Sequence, residues 1–299
     1  MSRMTRVIIG AKVPNSGPLP QRLGIGAMAQ RLEDAGFESL WVSDHVVMPA
    51  EVHSPYPFAA DGRATWPSDT PYFDAIVALT LISAATQRVR FGTAVLVLPQ
   101  RAPVILAKQL ASIDALSGGR LELGVGAGWL AEEFAALNVP FESRGNRFVE
   151  WIDLLRECWT GDPAAHTGDY YTLAGGVLCR PASVHPIPIL IGGHSHRAIR
   201  RAGEIGDGWL AHQSAAALDT EQLAEGRESM RVAALRALAD PDERRVVLRI
   251  IDSAHRAEEV AAALPALAEA GVDEIIVDVD WDAAEGPAES FDRLVGAET

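Results

Sequence analysis

Cysteine is scarce in this chain of 299 residues, which contains only Cys158 and Cys179. Two cysteines are too few to staple a domain of this size with disulfides or to form a cysteine-based metal site. We therefore expect a protein that depends on its hydrophobic core and works in a reducing cytoplasm.

Long apolar runs and an excess of positive charge are missing as well. No segment approaches the roughly 18 uninterrupted apolar residues of a membrane helix, and the apolar run 7–9 is too short for a secretory signal. Lys and Arg number 26 against 40 Asp and Glu, which gives a formal net charge of −14. That field repels nucleic acid and anionic membranes, so the sequence favours a small-molecule partner.

What the sequence does contain is a regular alternation of apolar strands and helical segments. Hydrophobic residues make up 48% of the chain and charged residues 22%, as in a globular enzyme with a large core. Nearly continuous apolar segments are typical of parallel strands that are buried on both faces. We predict eight such strands, at 7–13, 40–45, 89–98, 121–125, 187–191, 208–212, 246–251 and 274–279.

Helical segments follow most of these strands, and glycine or proline marks several of their ends. We predict helices at 24–35, 73–86, 103–116, 144–160, 219–239 and 258–270, and another that ends near residue 205. Eight strand-and-helix units with right-handed crossovers predict an α/β fold, the (β/α)₈ TIM barrel, in which strand eight pairs with strand one. We expect one domain over 1–299, with inserted loops at about 46–72 and 161–185, the second an excursion or hairpin.

The second predicted strand ends at two titratable residues, Asp44 and His45. The carboxyl ends of parallel strands carry the active site of a barrel, so this pair is a candidate site. Neighbours on a strand point to opposite sides, which predicts different roles for the two side chains. Histidine suits proton transfer; the alternative is an Asp that caps the next turn beside a half-exposed His.

Two glycine-rich turns follow other strands. Gly192, Gly193, His194 and Ser195 lie between a strand and a helix, where backbone N–H groups could hold a phosphate; the alternative is a tight turn with Ser195 as N-cap. The spacing of His194 and His196 does not by itself indicate a metal site, and we expect none. The glycines of 124–128 form an incomplete dinucleotide fingerprint that would still let a flat ligand approach the backbone.

Seven short sequence motifs occur in a fixed order along the chain, and they include the features described above. They lie at 35–45, 90–99, 107–111, 116–121, 124–129, 191–193 and 206–209. Together they resemble the luciferase-like superfamily of flavin and deazaflavin enzymes, in particular its F420-dependent oxidoreductases, over most of the chain. The resemblance implies a barrel that holds the flavin or deazaflavin ring at the carboxyl ends of its strands.

The resemblance also implies roles for individual residues. Asp44 would contact the polar edge of the ring, and His45 would face the substrate as the catalytic residue. The segment Thr93, Ala94 and Val95 resembles a strand bulge behind the ring, with a cis peptide between Ala94 and Val95. The remaining cofactor contacts implied by the resemblance are Ala127, Gly128, Ile191, Gly192, Gly193, His194 and Ser195.

Two further residues are implied on the substrate side, Asn15 and Trp129. Some relatives carry a catalytic Glu where this chain has Trp129, so an acid from that position is not expected and Trp129 is predicted to shape an apolar wall. Glu132 and Glu133 follow closely, but the sequence alone gives them no role.

The function that the resemblance implies is hydride transfer between F420 and a small organic substrate. Two alternatives remain: a two-component monooxygenase that uses reduced FMN and oxygen, and a flavin-binding protein without turnover. The acidic tail of F420 would need local basic residues, for which we name Arg101, Arg180, Arg197 and Arg200. The expected partners are a small-molecule substrate, a second copy of the chain in a homodimer, and a flavin or F420 reductase that supplies reduced cofactor.

Overall fold

A closed barrel of eight parallel strands is the centre of the computed structural model, which describes residues 6–57, 61–64, 66–283 and 286–296. Around the barrel the strands follow the order β1-β10-β9-β8-β7-β4-β3-β2, and β1 closes on β2. A two-stranded antiparallel hairpin, β5 with β6, lies outside it. The strands are β1 Ile8–Lys12, β2 Ser39–Val42, β3 Arg90–Val97, β4 Leu121–Gly126, β5 His166–Thr167, β6 Thr172–Leu173, β7 Ile189–Gly192, β8 Gly208–Ser214, β9 Arg245–Ile251 and β10 Glu274–Val277.

Helices cover the outside of this barrel. They are α1 Leu19–Leu23, α2 Ile25–Ala35, α3 Ala75–Ala85, α4 Pro103–Ser117, α5 Ala131–Ala136, α6 Arg144–Trp159, α7 His196–Glu204, α8 Thr220–Arg236, α9 Ala257–Glu269 and α10 Pro287–Val295. No helix in the described part of the chain is long and apolar enough to cross a membrane.

Local sequence signals explain where several helices begin and end. The Asp74 side chain accepts hydrogen bonds from the backbone N–H groups of Ile76 and Val77, which caps the start of α3. Pro103 opens α4, where its missing N–H costs nothing. Gly36 ends α2 in the left-handed conformation at φ 108°, which a side chain would disfavour.

The barrel prediction is therefore confirmed, including the closure of the eighth barrel strand on the first. The predicted excursion at 161–185 contains the β5–β6 hairpin. Within the predicted loop 46–72 the described residues form no helix and one isolated bridge, from Tyr72 to Ser16; residues 58–60 and 65 lie outside the described residues. The Ala94–Val95 peptide is cis, as expected.

Three helices escaped prediction: α1, α5 and α10. Each is short, with five, six and nine residues respectively, so each has few turns in which a periodic apolar pattern can appear. Of the three, α5 matters most for function because it follows β4 and brings Glu132 and Glu133 beside the loop after β2.

Opposite ends of the barrel carry different chemistry. At the amino ends of the strands, Arg90 and Arg245 pair with the buried carboxylates of Glu122 and Glu274. Above them the barrel is filled by an apolar layer that includes Trp41, Leu190, Leu210, Val247 and Ile276. This plug closes one end, so a ligand can enter only at the carboxyl ends of the strands.

Candidate active site

A large cavity opens at the carboxyl ends of the strands, with a volume of about 1540 Å³. That volume exceeds the few hundred to about 1,000 Å³ typical of small-ligand pockets, which leaves room for a cofactor and a substrate together. Strands β2, β3, β4 and β7 form one half of its mouth, and β8, β9, β10 and β1 the other. The predicted site residues belong mainly to the first half.

Asp44 and His45 diverge from the end of β2, as strand geometry predicts. The Asp44 carboxylate accepts a hydrogen bond from the Val97 backbone N–H at 3.0 Å and pairs with Arg101 at 2.6 Å. Asp44 therefore ties the end of β2 to the end of β3 while it lines the cavity. The pairing also occupies Arg101, which the sequence had offered for the cofactor tail.

His45 is held by a carboxylate that the sequence did not assign. Nδ1 of His45 lies 2.9 Å from Oε2 of Glu133, and Glu133 is almost fully buried. Burial alone would raise the pKa of Glu133, but the hydrogen bond and charge of His45 and the Val46 N–H outweigh it and lower that pKa. The ionised carboxylate accepts only, so Nδ1 carries the proton and Nε2 is left to exchange a proton with a ligand.

Three aromatic rings lie close to the imidazole of His45. The ring centroids of Tyr72, Trp66 and Trp129 lie 5.2, 6.1 and 6.2 Å from that of His45, and Tyr56 packs edge-on against both tryptophans. Trp129 thus belongs to a cluster of aromatic rings that lines the cavity. Such a cluster excludes water from the neighbourhood of the imidazole and strengthens polar interactions there.

The strand bulge lies in a cradle of glycines. The register between β3 and β4 shifts between Thr93 and Leu96, and Val95 packs against the backbones of Gly126 and Gly192. A Cβ at either glycine would come within 2.8 and 2.7 Å of the Val95 side chain, closer than real Cβ contacts allow. The absence of side chains at these two positions lets Val95 pack closely against the neighbouring strands, and the bulge it belongs to lines the cavity.

The part of the cavity next to the turn after β7 is positively charged. Ser195 caps α7 by accepting a hydrogen bond from the Ala198 N–H at 3.2 Å, and Gly193 has φ 120°. Arg144, Arg197 and Arg201 line the same part of the cavity. Burial lowers the pKa of Arg201, and the neighbouring charges of Arg197 and Arg200 lower it further. A helix amino end flanked by arginines suits an anion.

Of the arginines named for the cofactor tail, Arg197 alone lines the cavity among the described residues. Arg200 pairs with Glu204 on α7. His194 also lines the cavity, but its Nε2 accepts the backbone N–H of His212 at 2.9 Å, so that nitrogen is not available to a phosphate.

A polar cluster on the opposite half of the mouth was not found from the sequence. Lys12 ends β1, Arg249 lies on β9, and Asp278 follows β10; all three line the cavity. Burial, together with Arg249, lowers the pKa of Lys12 to about 8. The available signal was a charged residue inside an otherwise apolar strand, which occurs at both Lys12 and Arg249.

Most of the predicted site residues meet at this cavity, and two do not. Asn15 is buried and makes three hydrogen bonds to backbone atoms, two with Ser43 and one with Phe73, and Thr93 donates to the carbonyl of Gly124. Neither residue lines the cavity. Their hydrogen bonds to the backbone favour a structural role over contact with a ligand. Within the described ranges, no group of three or more His, Cys, Asp or Glu residues could hold a metal ion.

Two proteins illustrate the relatives that this chain resembles in sequence. An uncharacterized protein of Mycobacterium tuberculosis is 38% identical over 183 residues, which cover 61% of this chain and 63% of that protein. An F420-dependent glucose-6-phosphate dehydrogenase of Amycolatopsis mediterranei is 34% identical over 188 residues, which cover 61% of this chain and 51% of that enzyme. The chain thus spans less than two thirds of the length of these curated relatives.

Solved structures share the fold at low identity. An F420-dependent secondary alcohol dehydrogenase in complex with an F420-acetone adduct superposes with a TM-score of 0.77 at 19% identity and covers 99% of this chain and 100% of that one. The oxygenating constituent of 3,6-diketocamphane monooxygenase from Pseudomonas putida, in complex with FMN, has a TM-score of 0.70 at 15% identity and covers 97% of each chain. A family model described as luciferase-like monooxygenase matches residues 18–290, nearly the whole barrel. The chain therefore belongs to the luciferase-like monooxygenase family.

Proposed function

We propose that this protein is an F420-dependent oxidoreductase that moves a hydride between F420 and a small organic substrate, with His45 as the proton-transferring residue. The observation that carries the proposal is the buried couple of His45 and Glu133 at the wall of the cavity. A histidine whose tautomer is fixed by a carboxylate is suited to general acid–base work.

The cavity fits a deazaflavin in three respects. The glycine-flanked bulge at Val95 lines the part of the cavity where a planar ring would lie, the start of α7 offers N–H groups to a phosphate, and the three arginines 144, 197 and 201 offer charge to an acidic tail. Because the chain as a whole carries −14, this local positive charge is what would attract such a tail.

The cofactor and the residues of the cavity have different roles in the proposed reaction. When bound, F420 supplies the hydride chemistry. Nε2 of His45 takes the proton from a substrate hydroxyl during oxidation, or returns it during reduction. Glu133 keeps the imidazole in the required tautomer, and the aromatic cluster limits the access of water to the reacting oxygen.

The relatives favour F420 over FMN. The curated relatives with an assigned activity include F420-dependent glucose-6-phosphate dehydrogenases at 34% and 32% identity. FMN has a similar tricyclic ring and a phosphate but lacks the acidic tail, so it would make fewer contacts with the three arginines. The structural neighbours include enzymes of both kinds.

Fluorescence titration of the purified protein with F420 and with FMN tests the cofactor. We expect F420 to bind at micromolar concentration or tighter, and FMN to bind more weakly. Micromolar binding of FMN with none of F420 would overturn the proposal in favour of an FMN-dependent monooxygenase.

Substitution of His45 tests the catalytic role. We expect His45→Ala to retain F420 binding and to lose turnover. His53→Ala is the matched control because the His53 side chain is 78% exposed on the neighbouring loop. If His45→Ala turned over at the wild-type rate, the role of His45 would be refuted. If the wild type itself bound F420 but showed no turnover, the result would support a non-catalytic flavin-binding protein.

A further inference from the structure

The polar cluster of Lys12, Arg249 and Asp278 has no part in the function proposed above. The pairing of Ala11 with Val277 and of Ile276 with Arg249 places Asp278 between the other two residues at the carboxyl edge of three adjacent strands. Arg249 on β9 therefore faces the cavity from across the bulge on β3, while Lys12 lies on β1, which pairs directly with β2 before His45.

The cluster offers several hydrogen-bond donors that the protein does not use. Arg249 donates to the carbonyls of Ile250 and Ile276 and to Asp278, which accounts for three of its five N–H groups. Within the described part of the chain, no acceptor hydrogen-bonds the Lys12 ammonium. Such donors, beside one another and open to a cavity, are a binding site for acceptor oxygens.

The charge of the cluster selects the kind of anion. Lys12 and Arg249 contribute two positive charges and Asp278 one negative charge, which leaves +1. His212 lines the cavity nearby, but burial and the charge of Arg249 lower its pKa to about 4, so it is neutral at pH 7. Asp252 is exposed and bonded to Ser214, where solvent screens its charge.

We propose that Lys12 and Arg249 bind a carboxylate of the substrate, and that the substrates are small monocarboxylic acids whose reacting carbon lies toward His45. This inference rests on the proposed function, because it assigns β2, β3, β4 and β7 to the cofactor and the opposite half of the mouth to the substrate. A single negative charge matches the net charge of the cluster, whereas a phosphate dianion would exceed it. The aromatic residues 56, 66, 72 and 129 further favour an acid with an apolar body.

Direct binding to the full-length protein without cofactor tests the proposal. The probes are acetate, phenylacetate and 3-phenylpropanoate, each compared with its neutral amide by calorimetry at pH 7. We expect at least one acid to bind about tenfold more tightly than its amide, as charge-assisted hydrogen bonds allow. Failure of all three acids to bind, or equal binding of acids and amides, would overturn the proposal.

Two lysine substitutions locate the subsite, because the chain contains no lysine besides Lys12 and Lys108. We expect Lys12→Met to remove the preference for the acid, Lys12→Arg to retain it, and Lys108→Met to leave it unchanged. Lys108 lies on the surface and donates to the carbonyl of Arg180. An acid preference that survived in Lys12→Met would refute the assignment of the subsite.

F420 titration of the same variants separates this inference from the proposed function. We expect Lys12→Met to bind F420 as the wild type does. Weaker F420 binding in Lys12→Met would place the cluster at the cofactor and overturn the substrate subsite, whereas failure of the wild type to bind F420 would overturn the proposed function and leave the acid preference as measured.

Discussion

The carboxylate of Glu133 lies 2.9 Å from the ring of His45, although the two residues are 88 positions apart in the chain. Glu133 also accepts the backbone N–H groups of Val46 and Val47 at 2.6 and 3.2 Å. One side chain therefore fixes both the imidazole and the backbone that follows it. This arrangement makes Glu133 a positioning residue for the proposed proton transfer.

Substitution of Glu133→Gln should reduce turnover more than substrate affinity. The amide can still bond the loop, but it no longer favours the Nδ1–H tautomer of His45. We expect kcat to fall about 100-fold, within the range of general acid–base catalysis, with a small change in KM and a displaced pH profile. Steady-state kinetics from pH 5 to pH 9 measure both.

Glu132→Gln is the matched control for that experiment. Glu132 bonds His53 and Ser54 in the same loop but does not contact His45. Equal losses of kcat in the two variants would show that Glu133 acts through the loop and not through the imidazole.

Lys12→Met should stabilise the folded protein at pH 7. Burial beside Arg249 lowers the pKa of Lys12 from 10.5 to about 8, against the opposing effect of Asp278, so its charge costs the folded state about 3 kcal/mol below pH 8. The unfolded chain binds more protons between pH 8 and 10.5, and the cost fades as the pH rises through that window. The gain from Lys12→Met should therefore be largest at pH 7 and nearly absent at pH 10.5.

Urea unfolding at pH 7 and pH 10 tests this predicted pH dependence of the free energy of unfolding. The proteins compared are the wild type, Lys12→Met and Lys108→Met. A gain that persists unchanged at pH 10 would mean that Met improves packing and that the lysine charge is not the cause. Lys108→Met should behave as the wild type at both pH values.

Removal of the cavity arginines should weaken F420 binding. We expect Arg197→Ala and Arg201→Ala each to raise the Kd by about tenfold, because each loses a charge-assisted contact to an anionic group. Arg200→Ala is the control, since Arg200 lies on the same helix and pairs with Glu204. Fluorescence titration at low and high salt gives the comparison, and equal effects of Arg197 and Arg200 would point to general charge instead of a local site.

Gly192→Ala should impair cofactor binding by displacing the bulge. The new Cβ would lie 2.7 Å from Cγ1 of Val95, so the Val95 side chain, which lines the cavity, must shift. Overpacking of this kind costs about 1–3 kcal/mol, so we expect the Kd for F420 to rise by roughly 5-fold to 150-fold. Gly175→Ala, whose Cβ would meet Ala165 at 3.4 Å, should leave the Kd unchanged.

The barrel was predictable from the sequence because its strands are nearly continuous apolar runs with turn residues between them. The end of β2 was recognisable for the same reason, since Asp44 and His45 interrupt such a run at its carboxyl end. Glu133 was not predictable as a partner of His45, because their contact depends on how α5 packs against the loop after β2. The spacing of residues in the sequence does not predict that packing.

Lys12 and Arg249 illustrate a different difficulty. Each is a charged residue in a strand whose other residues are apolar and predict a place in the hydrophobic core. The apolar pattern does not show how far along the barrel axis a residue lies. Barrel closure brings β1, β10 and β9 side by side and places both cations at one level. The same closure places Asn15 against Ser43 and Phe73, where its amide is used by the backbone and not by a ligand.

The two neighbouring glutamates of α5 fasten the loop after β2 at two points. Glu133 bonds Val46 and Val47, and Glu132 bonds His53 and Ser54, while the Ser54 hydroxyl accepts the Ala131 N–H. Residues 46–54 and α5 are therefore expected to move as one rigid unit. Substrate and product that pass this side of the cavity therefore meet a wall whose two segments cannot shift independently.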